Sequence, residues 1–213
     1  MKTKIVIADD HPIVLAGIAD MINRDGRFAL VGKAQDPTSL VELVVRHDPE
    51  IVVTDYSMPS EGHLSDGIKL ISYLQQNFPE VRILVLTMVS NRSIVAEMYR
   101  AGVCGVIPKS CGLKELSIAL TTALARRTYR WPELPREEAI PDAGGVTSVA
   151  TLSPRELEVI QRFTSGQGVS EIASSLNRSV KTVSTQKTSA MSKLGTRTDQ
   201  ELVEFSILFG LSE

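Results

Sequence analysis

The sequence predicts a doubly wound α/β domain built on a five-stranded parallel sheet, followed by a second, all-α four-helix domain. Three observations predict it. From residue 4 to about 126, short runs of Val and Ile alternate with amphipathic stretches. The alternation stops in 126–151, which carries three prolines, a Gly pair and mixed charge without any sustained period. Every periodic stretch beyond it is helical.

The strand runs are 4–8, 29–33, 51–54, 83–87 and 103–107. They are short and mostly continuous in apolar residues, as parallel strands covered on both faces require. The first helix, 12–24, opens with Pro12, whose fixed φ suits a first turn. The second, 38–46, repeats Leu40, Leu43 and Val44; the third, 67–77, sets Ile68, Ile71 and Leu74 on one face. Helices at 92–100 and 113–125 complete the series. Right-handed crossovers distribute such helices over both faces of the sheet. In the second domain, Ser153, Pro154 and Glu156 read as N-cap, first helical residue and capping-box partner. A short helix, 169–176, turns at Asn177. The next is capped by Ser179 and stopped by Gly195. The last, 199–208, is expected to bury Leu202, Phe205 and Leu208. The boundaries are therefore 1–126 and 152–213, with a linker at 127–151 whose Tyr129 and Trp131 dock on the first domain.

With 43% hydrophobic and 23% charged residues, the 213-residue chain has the composition of a globular protein with a core. Its net charge of −2 confines any nucleic-acid surface to a local patch. No apolar run reaches the roughly 20 residues that cross a bilayer, and the first residues do not read as a secretion signal. The expectation is a cytoplasmic protein without a membrane partner. Cys104 and Cys111 lack metal-binding spacing and are expected as reduced thiols.

Doubly wound sheets bind ligands outside the carboxyl ends of their strands. Asp9 and Asp10 follow the first strand and Asp55 the third. Three converging carboxylates repel one another unless a cation sits among them. Mg2+, held by one or two carboxylates with water and phosphate oxygens, is the usual solution. Strand four ends in the hydroxyl of Thr87. Strand five leads into Lys109, a mobile point charge suited to a phosphate oxygen. This set describes a phosphoryl acceptor: a carboxylate is the nucleophile, and metal and lysine spread the charge of an in-line transition state.

The stretches "IVIADDHPIV", "IVVTDYSMP", "ILVLTM" and "GVIPKS" resemble the flavodoxin-like receiver domain of bacterial response regulators. The resemblance implies that Asp55 is the phosphoacceptor, that Asp10 binds Mg2+ directly with Asp9 assisting, and that Thr87 and Lys109 hold phosphoryl oxygens. It also implies phosphate supplied by a histidine kinase or phosphotransfer protein. Three features depart from the family pattern. Val106 stands three positions before the lysine, where an aromatic switch residue is common. Met88 follows Thr87, where a small residue is usual, and could crowd the phosphoryl site. The turn after Pro59, "SEGHLSDG", is several residues longer than usual; its His63 reads as a solvated loop residue. An aspartate-nucleophile phosphatase is a competing class, but Asp55 lies in "DYS" without the D-x-D pair that such enzymes use. The chain is therefore not expected to be an enzyme.

Between 178 and 197 the sequence carries Arg178, Lys181, Lys187, Lys193 and Arg197 and no acid. Thr182, Ser184, Thr185, Gln186 and Thr188 add short hydrogen-bonding groups. Val180, Val183, Ala190, Met191 and Leu194 supply an apolar back. A short helix, a turn and such a helix suit helix-turn-helix binding of double-stranded DNA, with the polar face in the major groove. "LSPRELEVI", "EIASSLNRSVKTV" and "KLG" resemble LuxR-type helix-turn-helix domains, as in response regulators of the NarL/FixJ class. By that resemblance, Lys181, Thr182, Ser184, Thr185, Gln186 and Lys187 are the candidate DNA contacts, Gln186 as a base reader. The last helix of the family usually dimerises; here its apolar residues serve either a dimer surface or the bundle core. The implied function is a transcriptional response regulator, a homodimer or a heterodimer with an auxiliary regulator. The alternative is a factor that acts with such a partner independently of phosphorylation.

Overall fold

The structure, a computed structural model, describes residues 2–59, 67–89, 91–132, 149 and 151–211. The long turn after Pro59 and its His63 lie outside them, as does most of the predicted linker. The chain divides into two compact units, Met1–Met88 with Val95–Leu134, and Pro135–Glu213 with Val89–Ile94.

In the first unit the strands are β1 (Thr3–Ala8), β2 (Phe28–Ala34), β3 (Ile51–Asp55), β4 (Arg82–Thr87) and β5 (Gly105–Pro108). Between and after them run α1 (Pro12–Arg24), α2 (Pro37–His47), α3 (Gly67–Asn77), α4 (Arg92–Arg100) and α5 (Gly112–Leu124). All pairings are parallel, in the order β2-β1-β3-β4-β5. That order reverses between β1 and β3, so a crevice opens at their carboxyl ends. Alternate strand residues point to opposite faces. Ile5, Ile7, Val53 and Leu84 pack with Ile18, Ile22 and Leu120 in one cluster. Their neighbours Val6, Val52 and Val85 are equally buried on the other side, which is why these strands are apolar without alternation. Asp36 caps α2 by accepting from the Ser39 amide, and Asn91 caps α4 by accepting from Ser93 and Ile94. Tyr129 docks on this unit as the sequence predicts, with Trp131 packed beside it.

The second unit contains α6 (Pro154–Thr164), α7 (Val169–Ser175), α8 (Val180–Leu194) and α9 (Asp199–Leu208). Val159, Ile172, Ala173 and Val183 form its central cluster. Asn177, with φ of 51°, makes the turn between α7 and α8, and Gly195, with φ of 72°, ends α8 in the left-handed conformation. Two expectations need correction. Leu208 is only half-buried, because Phe209 stacks on Phe205 and Leu211 closes that end of the bundle. Val180 is 49% exposed, because it opens α8 away from the bundle and the first side chain of that helix to enter the core is Val183.

The capping box on α6 forms as predicted, and its acid does more than cap. Glu156 accepts from the Ser153 amide, Ser189 Oγ and Lys193 Nζ, each at 2.7 Å, tying α6 to α8. Lys193, the Ser153 amide and Ser189 lower its pKa from 4.5 to about 2. A group depressed on folding stabilises the fold above its unfolded pKa, and that contribution fades as pH falls through the folded value. Wild-type α8 is therefore expected to lose amide-exchange protection between pH 4.5 and about 2. Glu156→Gln should already have lost this contribution at neutral pH, with a flatter profile across that window.

Candidate functional site

The crevice at the carboxyl ends of the strands gathers the acids that the sequence singles out. Asp9 follows β1 and is fully buried; Asp55 ends β3 and is 5% exposed. Lys109 follows β5, and its Nζ lies 2.8 Å from Asp9 Oδ2 and 2.7 Å from Asp55 Oδ2. Thr87 ends β4, buried, one residue beyond Leu86, the register partner of Asp55. Asp10 sits at the rim with a side chain 27% exposed. His11 belongs to the same group, although the sequence offers it only as a residue before a helix. Its Nδ1 is 2.7 Å from Asp10 Oδ1 and 3.2 Å from Asp9 Oδ1, and its amide donates to Asp9 Oδ1. One ligand atom from each of Asp9, Asp10, His11 and Asp55 falls within 4.8 Å of all the others.

Burial pushes the Asp55 carboxyl above its ordinary range; the Lys109 ammonium opposes that rise and Asp9 adds to it. Burial alone would lower the Lys109 pKa, but its hydrogen bond to Asp55 and its close charge contact with Asp9 carry it upward. The lysine is therefore a fixed cation. Three carboxylates against one ammonium leave two negative charges, the deficit that a dication fills. Asp9 Oδ2 sharpens the point, being buried and near the ammonium yet without a well-directed hydrogen bond. The all-oxygen carboxylate set at the rim of a buried pocket fits Mg2+.

In the second unit, Lys181, Ser184, Thr185, Thr188, Ser189, Ser192 and Lys193 line one open groove along α8. Their spacing of three and four residues makes a single stripe. Thr182 is exposed on its flank, and Gln186 is half-buried further round. Lys187 is off the stripe. About 100° per residue brings it next to Val183 and Leu194 on the bundle side. There its Nζ lies 2.6 Å from Asp199 Oδ1 and 3.6 Å from the centroid of the Phe163 ring, with only 12% of the side chain exposed.

Comparison with known families places residues 5–121 in the response regulator receiver domain and residues 150–206 in the bacterial regulatory proteins of the luxR family. The chain belongs to the response regulators. RcsB, a transcriptional regulatory protein of Salmonella typhi, is 38% identical over 94% of this chain and 92% of its own. The oxygen regulatory protein NreC of Staphylococcus aureus is 34% identical over 96% of each. Among solved structures, RcsB from Salmonella enterica serovar Typhimurium bound to promoter P1flhDC with the phosphomimetic BeF3− matches at a TM-score of 0.68. It is 35% identical and covers 96% of this chain and 98% of that one.

In this receiver, Met88 is 75% exposed, so its side chain does not fill the crevice. Val106 is buried, and its amide donates to the hydroxyl of Tyr99. Among the described residues, no helix is long and apolar enough to cross a membrane.

Proposed function

We propose that the chain is a cytoplasmic, DNA-binding transcriptional response regulator in which Asp55 accepts a phosphoryl group. The domains proposed are a receiver at 1–126, a linker at 127–151 and a LuxR-type DNA-binding domain at 152–213. The observation that carries the reading is the buried Asp55 beside Asp9, bridged by one lysine. Asp55 Oδ attacks phosphorus, an O–P bond forms, and the bond from phosphorus to the donor's leaving atom breaks. The donor is a histidine kinase or a phosphotransfer protein, or a small phosphodonor in vitro. Lys109 exchanges its bond to the carboxylate for one to a phosphoryl oxygen, and Thr87 donates to another. Asp10, Asp9 and Asp55 would hold Mg2+, which when bound would offset the charge of the transferring group. The phosphoryl group adds roughly −1.5 to −2 charge at neutral pH. α4 repacks in response, shifting the population toward a dimer that presents two α8 helices to paired half-sites in double-stranded DNA. The structure of RcsB bound to promoter DNA in the presence of BeF3− supports this reading by kinship. The dimer is of two copies of this chain, or of one with an auxiliary regulator. No catalytic turnover is part of the proposal, so phosphomonoester hydrolysis should stay at background.

The test is incubation of the whole chain with a small phosphodonor. A mass gain of one phosphoryl group, labile to hydroxylamine and absent with chelator, is expected; a gain unaffected by chelator would sink the metal's part. A related expectation concerns affinity. Asp10→Asn removes a carboxylate from the metal set and should weaken Mg2+ binding by about 10-fold or more in titration calorimetry. Unchanged affinity would take Asp10 out of the metal site.

A further inference from the structure

The strand position that commonly holds a receiver's aromatic switch is Val106 in this chain, and an aromatic ring reaches the same strand from elsewhere. Tyr99, on α4, accepts a hydrogen bond from the Val106 amide at 3.3 Å and donates one to the Tyr129 carbonyl at 2.9 Å. The Arg130 guanidinium stacks over its ring at 4.9 Å. Tyr129 is fastened in turn. Its amide donates to the Cys104 carbonyl at 2.7 Å, its hydroxyl donates to Glu115 on α5, and its side chain is 5% exposed. Trp131 packs against the same core. Residues 129–131 thus form a strap laid along β5, just after α5 ends. Gly105 is what lets the strap lie so close. A Cβ there would come within 3.1 Å of Tyr129 Cβ and 2.8 Å of Leu84 Cδ2. Burial pushes the Tyr99 phenol above its usual range, so it stays protonated and able to donate.

One phenol oxygen therefore joins α4, β5 and the chain that leaves the receiver. We propose that Tyr99 is a latch: it holds the strap 129–131 on the sheet while Asp55 is unmodified, and repacking of α4 on phosphorylation withdraws it and frees the strap. The coupling rests on Asp55 being the phosphoacceptor. The strap is the first stretch of the connection toward the DNA-binding domain, so its release lengthens the tether between the two domains. Hydrogen bonds between neutral groups are individually modest, which suits a contact made to be broken.

Trp131, the single tryptophan of the chain, sits on the strap and reports on it directly. The experiment measures acrylamide quenching of Trp131 in the full chain with and without BeF3− and Mg2+. The adduct is followed independently by fluorine NMR, and folding by amide exchange in β1. In wild type, adduct formation should raise the quenching constant about two-fold as the strap opens locally. Tyr99→Phe, which loses only the hydroxyl, should show the raised value without BeF3−. Asp55→Asn should stay at the resting value with or without it. A folded Tyr99→Phe protein quenched no faster than wild type overturns the latch. An adduct that forms in wild type without changing Trp131 overturns the coupling. If no adduct forms, the Asp55 reading fails and takes the coupling with it, while Tyr99→Phe still decides the latch.

Discussion

Asp55→Asn should not acquire phosphate at all, although the variant stays folded. On the proposed mechanism the expected result is complete loss of the hydroxylamine-labile mass gain rather than a slower rate, because there the carboxylate is the nucleophile and an amide oxygen cannot replace it. The geometry makes the substitution a clean one. Asparagine keeps the shape at the end of β3 and an oxygen acceptor for Lys109, whose Nζ is 2.7 Å from Asp55 Oδ2. It also removes one of two buried carboxylates that share that ammonium, and so relieves the Asp9–Asp55 repulsion that helps raise the Asp55 pKa. Thermal stability in the absence of metal should therefore hold or rise. If Asp55→Asn still gains phosphate on the same peptide with the same lability, the nucleophile lies elsewhere.

The second large effect separates two lysines that composition treats alike. Lys181 is exposed on the open stripe of α8, while Lys187 is folded onto Phe163 and Asp199. Lys181→Ala should weaken DNA binding and flatten the plot of log affinity against log salt. The slope should fall by about 0.9 for each phosphate left without its lysine, so by about twice that in a dimer. Lys187→Ala should leave that slope unchanged and lower the stability of the helical bundle by about 1 kcal/mol, chiefly because the Phe163 ring no longer faces a cation. Its ion pair adds little, since Asp199 is 61% exposed. Filter binding across a salt series and a thermal melt of each variant distinguish the two roles. A flattened slope for Lys187→Ala would put that side chain on DNA.

Much of the fold was legible because each element advertises itself. Continuous Val and Ile runs mark strands covered on both faces, and the observed strands differ from the expected ones by only a residue or two at most ends. Ser153 with Glu156, Ser179 and Gly195 mark helix ends by chemistry that acts over three or four residues. The acid cluster was legible for a similar reason: parallel strands of one sheet bring their carboxyl ends to one side, so residues far apart in sequence meet there. What escaped depends on direction or on long-range contact. Lys187 lies in an acid-free run, but helical phase, not composition, decides which way it points. Glu156 was recognised as a local cap, while its bonds to Ser189 and Lys193 span 33 and 37 residues. Tyr99 and Tyr129 are 30 residues apart, and nothing in either local sequence announces their bond. His11 joins the acids through a side-chain orientation that the sequence around Pro12 leaves open.

The bonds from Glu156 to Ser189 and Lys193 divide α8 into two halves with different freedom. The carboxyl-terminal half is bolted to α6 through Ser189 and Lys193. Among the described residues, none outside α8 anchors the exposed stripe of the amino-terminal half, which carries Lys181, Ser184 and Thr185. If the proposed DNA contacts on α8 hold, retargeting this regulator to a different operator becomes a matter of grafting side chains into the first two turns, with the acid and its two partners kept as the fixed mount.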